Sequence, residues 1–305
     1  MEKKVELNCL NQHFSKMPKN KSPLRYPGGK TRACKKLDAI FTKYFNQQEI
    51  TTIISPFFGG GSFEFYLQQI HGYTILANDA FNPLANFWHV CKTNKTELCK
   101  QLISRLKTPV TKEDFHQYRA QIQKPTDELT SAFYYFILNR CSFSGATLCG
   151  GFSKQASEGR FTKSSVDRIN ALDLTQFQIS NQNFDTFLGH ILPSPGAEGG
   201  ASPPHICIFL DPPYYLEKKS KLYGKGGDMH INFDHMQLFN AIKDKKGWFM
   251  TYNDCEFIRD LYKDFIILEE NWSYGMNKSK KSSEIVIVNP WAPPPITPRG
   301  TNGSP

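Results

Sequence analysis

A β-branched run, Ile50-Thr51-Thr52-Ile53-Ile54, passes through Pro56 into Gly59-Gly60-Gly61-Ser62, after which the apolar spacing from Phe63 to Ile70 is helical. A second short strand, Tyr73 to Ala77, ends in Asn78-Asp79. Strand, glycine turn, helix and a strand with an acidic end make a βαβ unit, and a parallel strand pair of this kind commits the chain to an α/β sheet with helices over its faces. Glycines at the turn let the backbone approach a ligand. Asp79 lies where a carboxylate normally holds ribose hydroxyls, about 20 residues beyond the first glycine.

An adenosine-containing cofactor fits this pattern. Counted from Gly59, the pyrophosphate fingerprint G-x-G-x-x-G has Gly61 in register but Glu64 where its third glycine belongs. A carboxylate beside two phosphates is repelled, so the departure favours S-adenosyl-L-methionine, which has a ribose and no phosphate, over NAD. The same residues also suit a tight strand-to-helix turn in which Asp79 caps a helix.

Upstream, the turn Tyr26-Pro27-Gly28-Gly29-Lys30 precedes a helix with Ala33, Leu37, Ile40, Phe41 and Tyr44 on one face. Residues 83–165 read as helical pieces followed by a loop-rich stretch from Asn139 to Gly159. The βα rhythm then resumes, with strands at His205 to Leu210, Gly247 to Tyr252, Phe265 to Leu268 and Glu284 to Val288, and helices at His235 to Ile242 and Glu256 to Tyr262. The expected organisation is a flexible basic arm (1–21), a first core part carrying the glycine loop (22–82), a helical insert (83–165), a second core part (166–290) and a Pro-rich tail (291–305).

Composition narrows the class. Hydrophobic residues make up 39% and charged residues 21%, with 24 Phe and 13 Tyr, which excludes a disordered chain. No apolar run approaches the length of a membrane-spanning helix, and the longest, Ala132 to Leu138, reads as a short core segment. The opening Met1-Glu2-Lys3-Lys4 does not lead into an apolar region, so the cytoplasm or nucleoid is expected. The 8 cysteines form no C-x-x-C pair and read as reduced thiols, with no metal site. The net charge of +9 is clustered: Lys16, Lys19, Lys21, Arg25, Lys30, Arg32, Lys35 and Lys36 have no acidic residue among them, and Lys218 to Lys225 and Lys278 to Lys281 form further groups. Such blocks suit a polyanionic partner, although any one alone could be a solvated face.

The sharpest signal is Asp211-Pro212-Pro213-Tyr214 at the carboxyl end of the strand His205 to Leu210. Ligands bind at that edge of an open α/β sheet, and two prolines hold a carboxylate and an aromatic ring at fixed separation. This pair suits an exocyclic amine on a flat heterocycle: Tyr214 stacks on the ring, worth about 1–3 kcal/mol per base, and Asp211 accepts from the amine, worth about 1.5–3 kcal/mol. The P-P-x-Y pattern of a WW-domain ligand and a purely structural proline turn are the other readings.

Taken in order, these segments resemble the Dam-type (D12 class) DNA adenine-N6 methyltransferases. The resemblance rests on Tyr26-Pro27-Gly28-Gly29-Lys30, Pro56-Phe57-Phe58-Gly59-Gly60-Gly61-Ser62, Asn78-Asp79, Leu138-Asn139-Arg140, Gly151-Phe152 and Asp211-Pro212-Pro213-Tyr214, and covers about residues 22–290. It implies a Rossmann-like, mostly parallel methyltransferase core with an inserted target-recognition domain, S-adenosyl-L-methionine as cofactor and double-stranded DNA as partner. Tyr26, Lys30, Phe57, Gly59, Gly61, Asp79 and Asp211 take cofactor positions by this resemblance, and Asp211, Pro212, Pro213 and Tyr214 the catalytic loop. Tyr26 and Pro27 stand where Trp and Ala are commoner, and Phe143-Ser144-Gly145 where Tyr-Asn-Gly is usual.

The expected activity is methyl transfer to the N6 amine of a flipped-out adenine, by a restriction-modification enzyme or a phage or viral counterpart. Base recognition is expected in the insert: Arg140 against guanine, with Phe143, Ser144, Thr147 and Lys154 around a protruding turn. Arg140 as the cap of the preceding helix, with Phe143 in the core, is the structural alternative. Cytosine-N4 methylation is the nearest rival, with Asp rather than Ser before the prolines favouring adenine. The absence of a Pro-Cys dipeptide argues against attack on a cytosine ring carbon. A catalytically silent nucleic-acid-binding module would explain the charge but not the Asp211 to Tyr214 loop.

Overall fold

The computed structural model describes residues 20–124, 127–191, 205–215, 232–271 and 283–291. Residues 1–19 of the expected arm, residues 192–204, the basic groups at Lys218 to Lys225 and Lys278 to Lys281, and residues 292–305 of the expected tail lie outside the described residues.

Seven strands form one sheet in the order β3-β2-β1-β4-β5-β7-β6. They are β1 (Thr52–Ser55), β2 (Thr74–Asn78), β3 (Phe177–Ser180), β4 (Ile206–Leu210), β5 (Trp248–Asn253), β6 (Ile266–Asn271) and β7 (Ser283–Asn289). The first five run parallel, and β7 inserts antiparallel between β5 and β6. The central strands are near-continuous apolar runs because both faces are covered, as parallel sheets require.

The expected βαβ unit is present: β1, the glycine loop, α2 (Ser62–His71), then β2, with Ile53 opposite Ile75. Ahead of it, a short 3-10 turn (Lys30–Arg32) leads into α1 (Cys34–Tyr44). Chain order reverses at β1, whose neighbours are β2 on one side and β4 on the other. The parallel register of Ile53 with Cys207 and Ile54 with Ile208 brings the loops after β1 and β4 out at the same edge. That is the switch point at which open α/β sheets bind ligands.

Between β2 and β3 the chain forms α3 (Asn82–Thr93), α4 (Lys95–Arg105), α5 (Lys112–Gln121), α6 (Glu128–Cys141), α7 (Lys154–Arg160) and α8 (Lys163–Asn170). These helices share one core with a sheet face: Phe87, Trp88, Phe136 and Ile169 belong to the same cluster as Ile53, Ile75, Phe209 and Phe249. The other face is covered by α9 (Phe184–Ile191), α10 (His235–Ile242) and α11 (Glu256–Leu261), around Phe184, Leu238, Trp248 and Tyr262. Among the described residues, no helix is long and apolar enough to cross a membrane, and no cluster of potential metal ligands occurs.

Candidate active site

A cavity of about 600 Å³ opens at the switch point, lined by the turns 26–30, 56–64 and 211–214, by Asp79, and by Gly145 to Leu148 from the helical region. Each wall follows from local sequence.

After β1 the chain crosses a left-handed turn, with φ of 49° at Gly59 and 66° at Gly61. The lack of side chains here serves protein packing. A Cβ on Gly59 or Gly60 would stand 2.9 or 2.8 Å from Tyr26, and one on Gly61 would stand 2.6 Å from the Phe58 ring. The glycines therefore let Tyr26 lie directly on the loop as its cover, whereas sequence reasoning assigned that space to a ligand. Asp79 leaves the end of β2 and accepts from the Gly59 and Phe81 amides, each at 2.9 Å. Trp88 Nε1 donates to the Gly59 carbonyl at 3.0 Å, so both backbone groups of Gly59 are held. Burial pushes the Asp79 carboxyl up to about 6, against the lowering effect of those two amides. Asp79 does not occupy the N-cap of α3, which is Phe81.

Lys30, 4% exposed, bridges the first and last motifs: its Nζ lies 2.7 Å from Asp211 Oδ1 and 2.9 Å from Oδ2, and donates to Gly28 O at 3.1 Å. Thr251 Oγ1 donates to Asp211 Oδ1 at 2.6 Å. A carboxylate offers about four acceptor sites, so the contacts among described residues leave capacity on Oδ2. Tyr214 stacks on Tyr252 at 5.8 Å, with Lys30 Nζ 5.0 Å from its ring centre. Phe57 meets Phe184 at 5.4 Å and Phe233 at 5.6 Å, forming an aromatic wall.

Glu64 sits in the cavity floor, 2% exposed. It accepts from Ser55 Oγ at 2.6 Å. Burial pushes its carboxyl up to about 8, the negative charge of Asp211 adding to the rise, while Ser55 and Lys30 oppose it.

The expected cofactor residues Tyr26, Lys30, Phe57, Gly59, Gly61 and Asp79 thus converge with Asp211, Pro212, Pro213 and Tyr214 on one cavity. The expected DNA residues divide. Phe143 is 61% exposed on a 3-10 turn (Phe143–Gly145). Ser144 beside it is exposed, and Thr147 lines the cavity. Both have left-handed backbone, with φ of 55° and 47°. Lys154 is exposed at the start of α7.

Arg140 requires correction. It is 6% exposed, donating from Nε to Arg160 O at 2.7 Å and from Nη1 to Pro23 O at 3.2 Å, and so cannot reach a base edge. Nor does it cap its own helix, because those carbonyls belong to other segments. Burial and the neighbouring charges of Arg168, Arg25 and Arg160 push its guanidinium down to about 10.

Sequence reasoning missed Phe184, Phe233 and Thr251 as parts of the site. Phe184 begins a helix whose apolar residues Phe184, Phe187 and Leu188 are spaced for one face. Phe233 and Thr251 carry no local signal.

A parallel sheet with a glycine loop and an acid-aromatic loop meeting at its switch point defines a Rossmann-like transferase core. The family model of D12 class N6 adenine-specific DNA methyltransferase matches residues 26–276, most of the chain, and the chain belongs to that family. Its activity is therefore adenine-specific DNA methylation, with DNA as substrate. No curated protein matches the chain.

Proposed function

We propose that the protein is a site-specific methyltransferase that moves a methyl group from S-adenosyl-L-methionine to the N6 amine of an adenine flipped out of duplex DNA. The observation that carries this reading is the placement of the Asp211 carboxylate, held by Lys30 and Thr251, in the same cavity as Asp79.

The cavity's chemistry suits this cofactor. Asp79 keeps acceptor capacity beside the glycine loop for ribose hydroxyls, and Phe57, Phe184 and Phe233 offer an apolar wall for a flat ring. Asp79 and Asp211 bring two carboxylates to a cavity shared with Lys30, a setting that disfavours a pyrophosphate and accommodates a cation, while Glu64, which keeps its proton up to about pH 8, adds no charge. When bound, the cofactor supplies a methyl group already activated on a sulfonium. The chain's own residues then have mainly to position the amine and set the field around it.

The adenine amine is a poor nucleophile because its lone pair is delocalised into the ring. Asp211 Oδ2 accepts one amine hydrogen and a backbone carbonyl near Pro212 the other, drawing the nitrogen toward tetrahedral geometry. Lys30 and Thr251 prevent the carboxylate from swinging away. Tyr214, backed by Tyr252, stacks on the base and offsets part of the few kcal/mol that flipping costs.

We assign DNA contact to the turn at the cavity mouth, Phe143 and Ser144 with Thr147 behind them, and to Lys154. Arg140 was expected at a guanine edge; in its place we assign Arg160 and Arg168 to contact with the DNA phosphates. Both are exposed, and both lie close enough to Arg140 to depress its proton affinity. A phosphate would relieve that repulsion. A modification enzyme paired with a restriction nuclease, or its phage counterpart, is the biological setting we infer.

The test is incubation with methyl-labelled cofactor and unmethylated plasmid DNA, followed by nucleoside analysis and mapping of modified adenines. Label in N6-methyladenine at one short recurring sequence, lost in Asp211→Ala, is expected. Label in N4-methylcytosine, or none in DNA, would refute the reading.

A further inference from the structure

Asn139 is fully buried near the end of α6 and has no part in the chemistry described above. Its carboxamide grips the backbone of Arg25 from both sides: Oδ1 accepts from Arg25 N at 2.9 Å, and Nδ2 donates to Arg25 O at 2.7 Å. The same Nδ2 lies 3.1 Å from Gly145 O and 3.2 Å from Thr147 Oγ1. Three acceptors thus share two hydrogens, which ties two chain segments to one group.

Both segments lead into the cavity. On one side, Gly145 has φ of 74°, and a Cβ there would fall 2.2 Å from Arg25 O, so the turn and the Arg25 backbone are in direct contact. Tyr135, one helical turn before Asn139, lines the same cavity as Thr147 and the rest of the turn. On the other side, Arg25 is followed by Tyr26, whose ring covers Gly59 and Gly60, and then by Lys30, which holds Asp211. A displacement of the turn is therefore passed through Asn139 to the cover of the glycine loop and to the carboxylate, because close-packed groups shift together or not at all.

We propose that Asn139 is a positioning residue that makes cofactor binding and DNA binding cooperative, by joining the turn at the cavity mouth to the Arg25–Lys30 segment over the cofactor side. The proposal rests on the cofactor and DNA assignments made above.

The experiment measures the affinity for S-adenosylhomocysteine by titration calorimetry, with and without a short duplex bearing the sequence found by adenine mapping. The wild-type protein is expected to bind at least about fivefold more tightly with the duplex present. Asn139→Asp keeps the side-chain size and the acceptor for Arg25 N, but sets an acceptor against the carbonyls of Arg25 and Gly145. It is expected to reduce the ratio below about twofold while circular dichroism shows a folded chain. Thr147→Val removes one of the two contacts at the turn end, leaving that to Gly145 O, and decides the matter if Asn139→Asp does not fold; an intermediate ratio is expected. A purely architectural role would lower the melting temperature and weaken both affinities by the same factor. A wild-type ratio of one, or a wild-type ratio retained in the folded variant, would overturn the proposal in an enzyme that binds both ligands. A protein with no mapped site and no S-adenosylhomocysteine binding would instead remove the underlying reading, and this proposal with it.

Discussion

Glu64 lies almost wholly out of water beside Ser55 and near Asp211, and the buried carboxyl is pushed up to about 8. Glu64→Gln keeps the acceptor for Ser55 Oγ and removes the ionisation. The sign follows from proton linkage. A carboxyl whose proton affinity is higher folded than unfolded makes the native state bind the extra proton, so stability is lost as pH rises from the unfolded value of 4.5 toward about 8. A tenfold difference in proton affinity is worth about 1.4 kcal/mol, so between about pH 5 and pH 8.5 the wild-type chain should lose up to about 4 kcal/mol relative to Glu64→Gln. Urea unfolding of both proteins across that range isolates the effect, because every other titrating group contributes equally to the two. The difference should be small near pH 5 and grow steadily toward pH 8.5. A difference that does not change with pH would show that Glu64 is ionised in the folded protein, and would refute the protonated state argued from its burial.

Asp79 is pushed up to about 6, so its charged acceptor is present above that pH and is lost as the pH falls through it. Affinity for S-adenosylhomocysteine should decline below about pH 6 in wild type and show no such step in Asp79→Asn, as read by titration calorimetry. Tyr214→Phe should retain substantial methyl transfer and Tyr214→Ala should lose it, since the ring stacks without its hydroxyl; equal losses in single-turnover rates would reject the stacking role. Arg140→Ala should lower stability by about 2–4 kcal/mol through its two charged hydrogen bonds to buried carbonyls, with no change in the preferred sequence. Arg160→Ala should leave stability nearly unchanged and reduce the slope of log affinity against log salt by about one.

The architecture was largely legible because a buried parallel sheet writes itself as short apolar runs ending in turn residues. All the predicted strands are present within a few residues of their expected bounds. The strand β3 was not foreseen. It is four residues long, pairs only with β2 and keeps just Phe177 fully buried, so Phe177-Gln178-Ile179-Ser180 lacks the apolar density of a central strand. The convergence of Tyr26, Lys30, Asp79 and Asp211 was legible only as separate motifs. That Lys30 bonds Asp211 across the full length of the core is a property of sheet order, which places β1 beside β4 and which no local pattern encodes.

The Leu138-Asn139-Arg140 motif shows where sequence logic misassigns chemistry. A guanidinium matches a guanine edge, which points Arg140 at DNA, whereas nothing in the local pattern assigns Asn139 a role of its own. Yet α6 carries an unbroken apolar run from Ala132 to Leu138, and every residue from Tyr135 to Cys141 is buried. A helix that is apolar all round has no solvent face, so polar residues continuing that run belong to the interior with it. In the interior a guanidinium is satisfied by carbonyls from whichever segments pack against it, here Pro23 and Arg160, and a carboxamide, with both donor and acceptor, is suited to grip a backbone. The two residues therefore hold together the loops that line the cavity. The groups we propose for DNA contact are instead those exposed at helix ends, namely Phe143 and Ser144 beyond α6, Lys154 and Arg160 at the two ends of α7, and Arg168 in the last turn of α8.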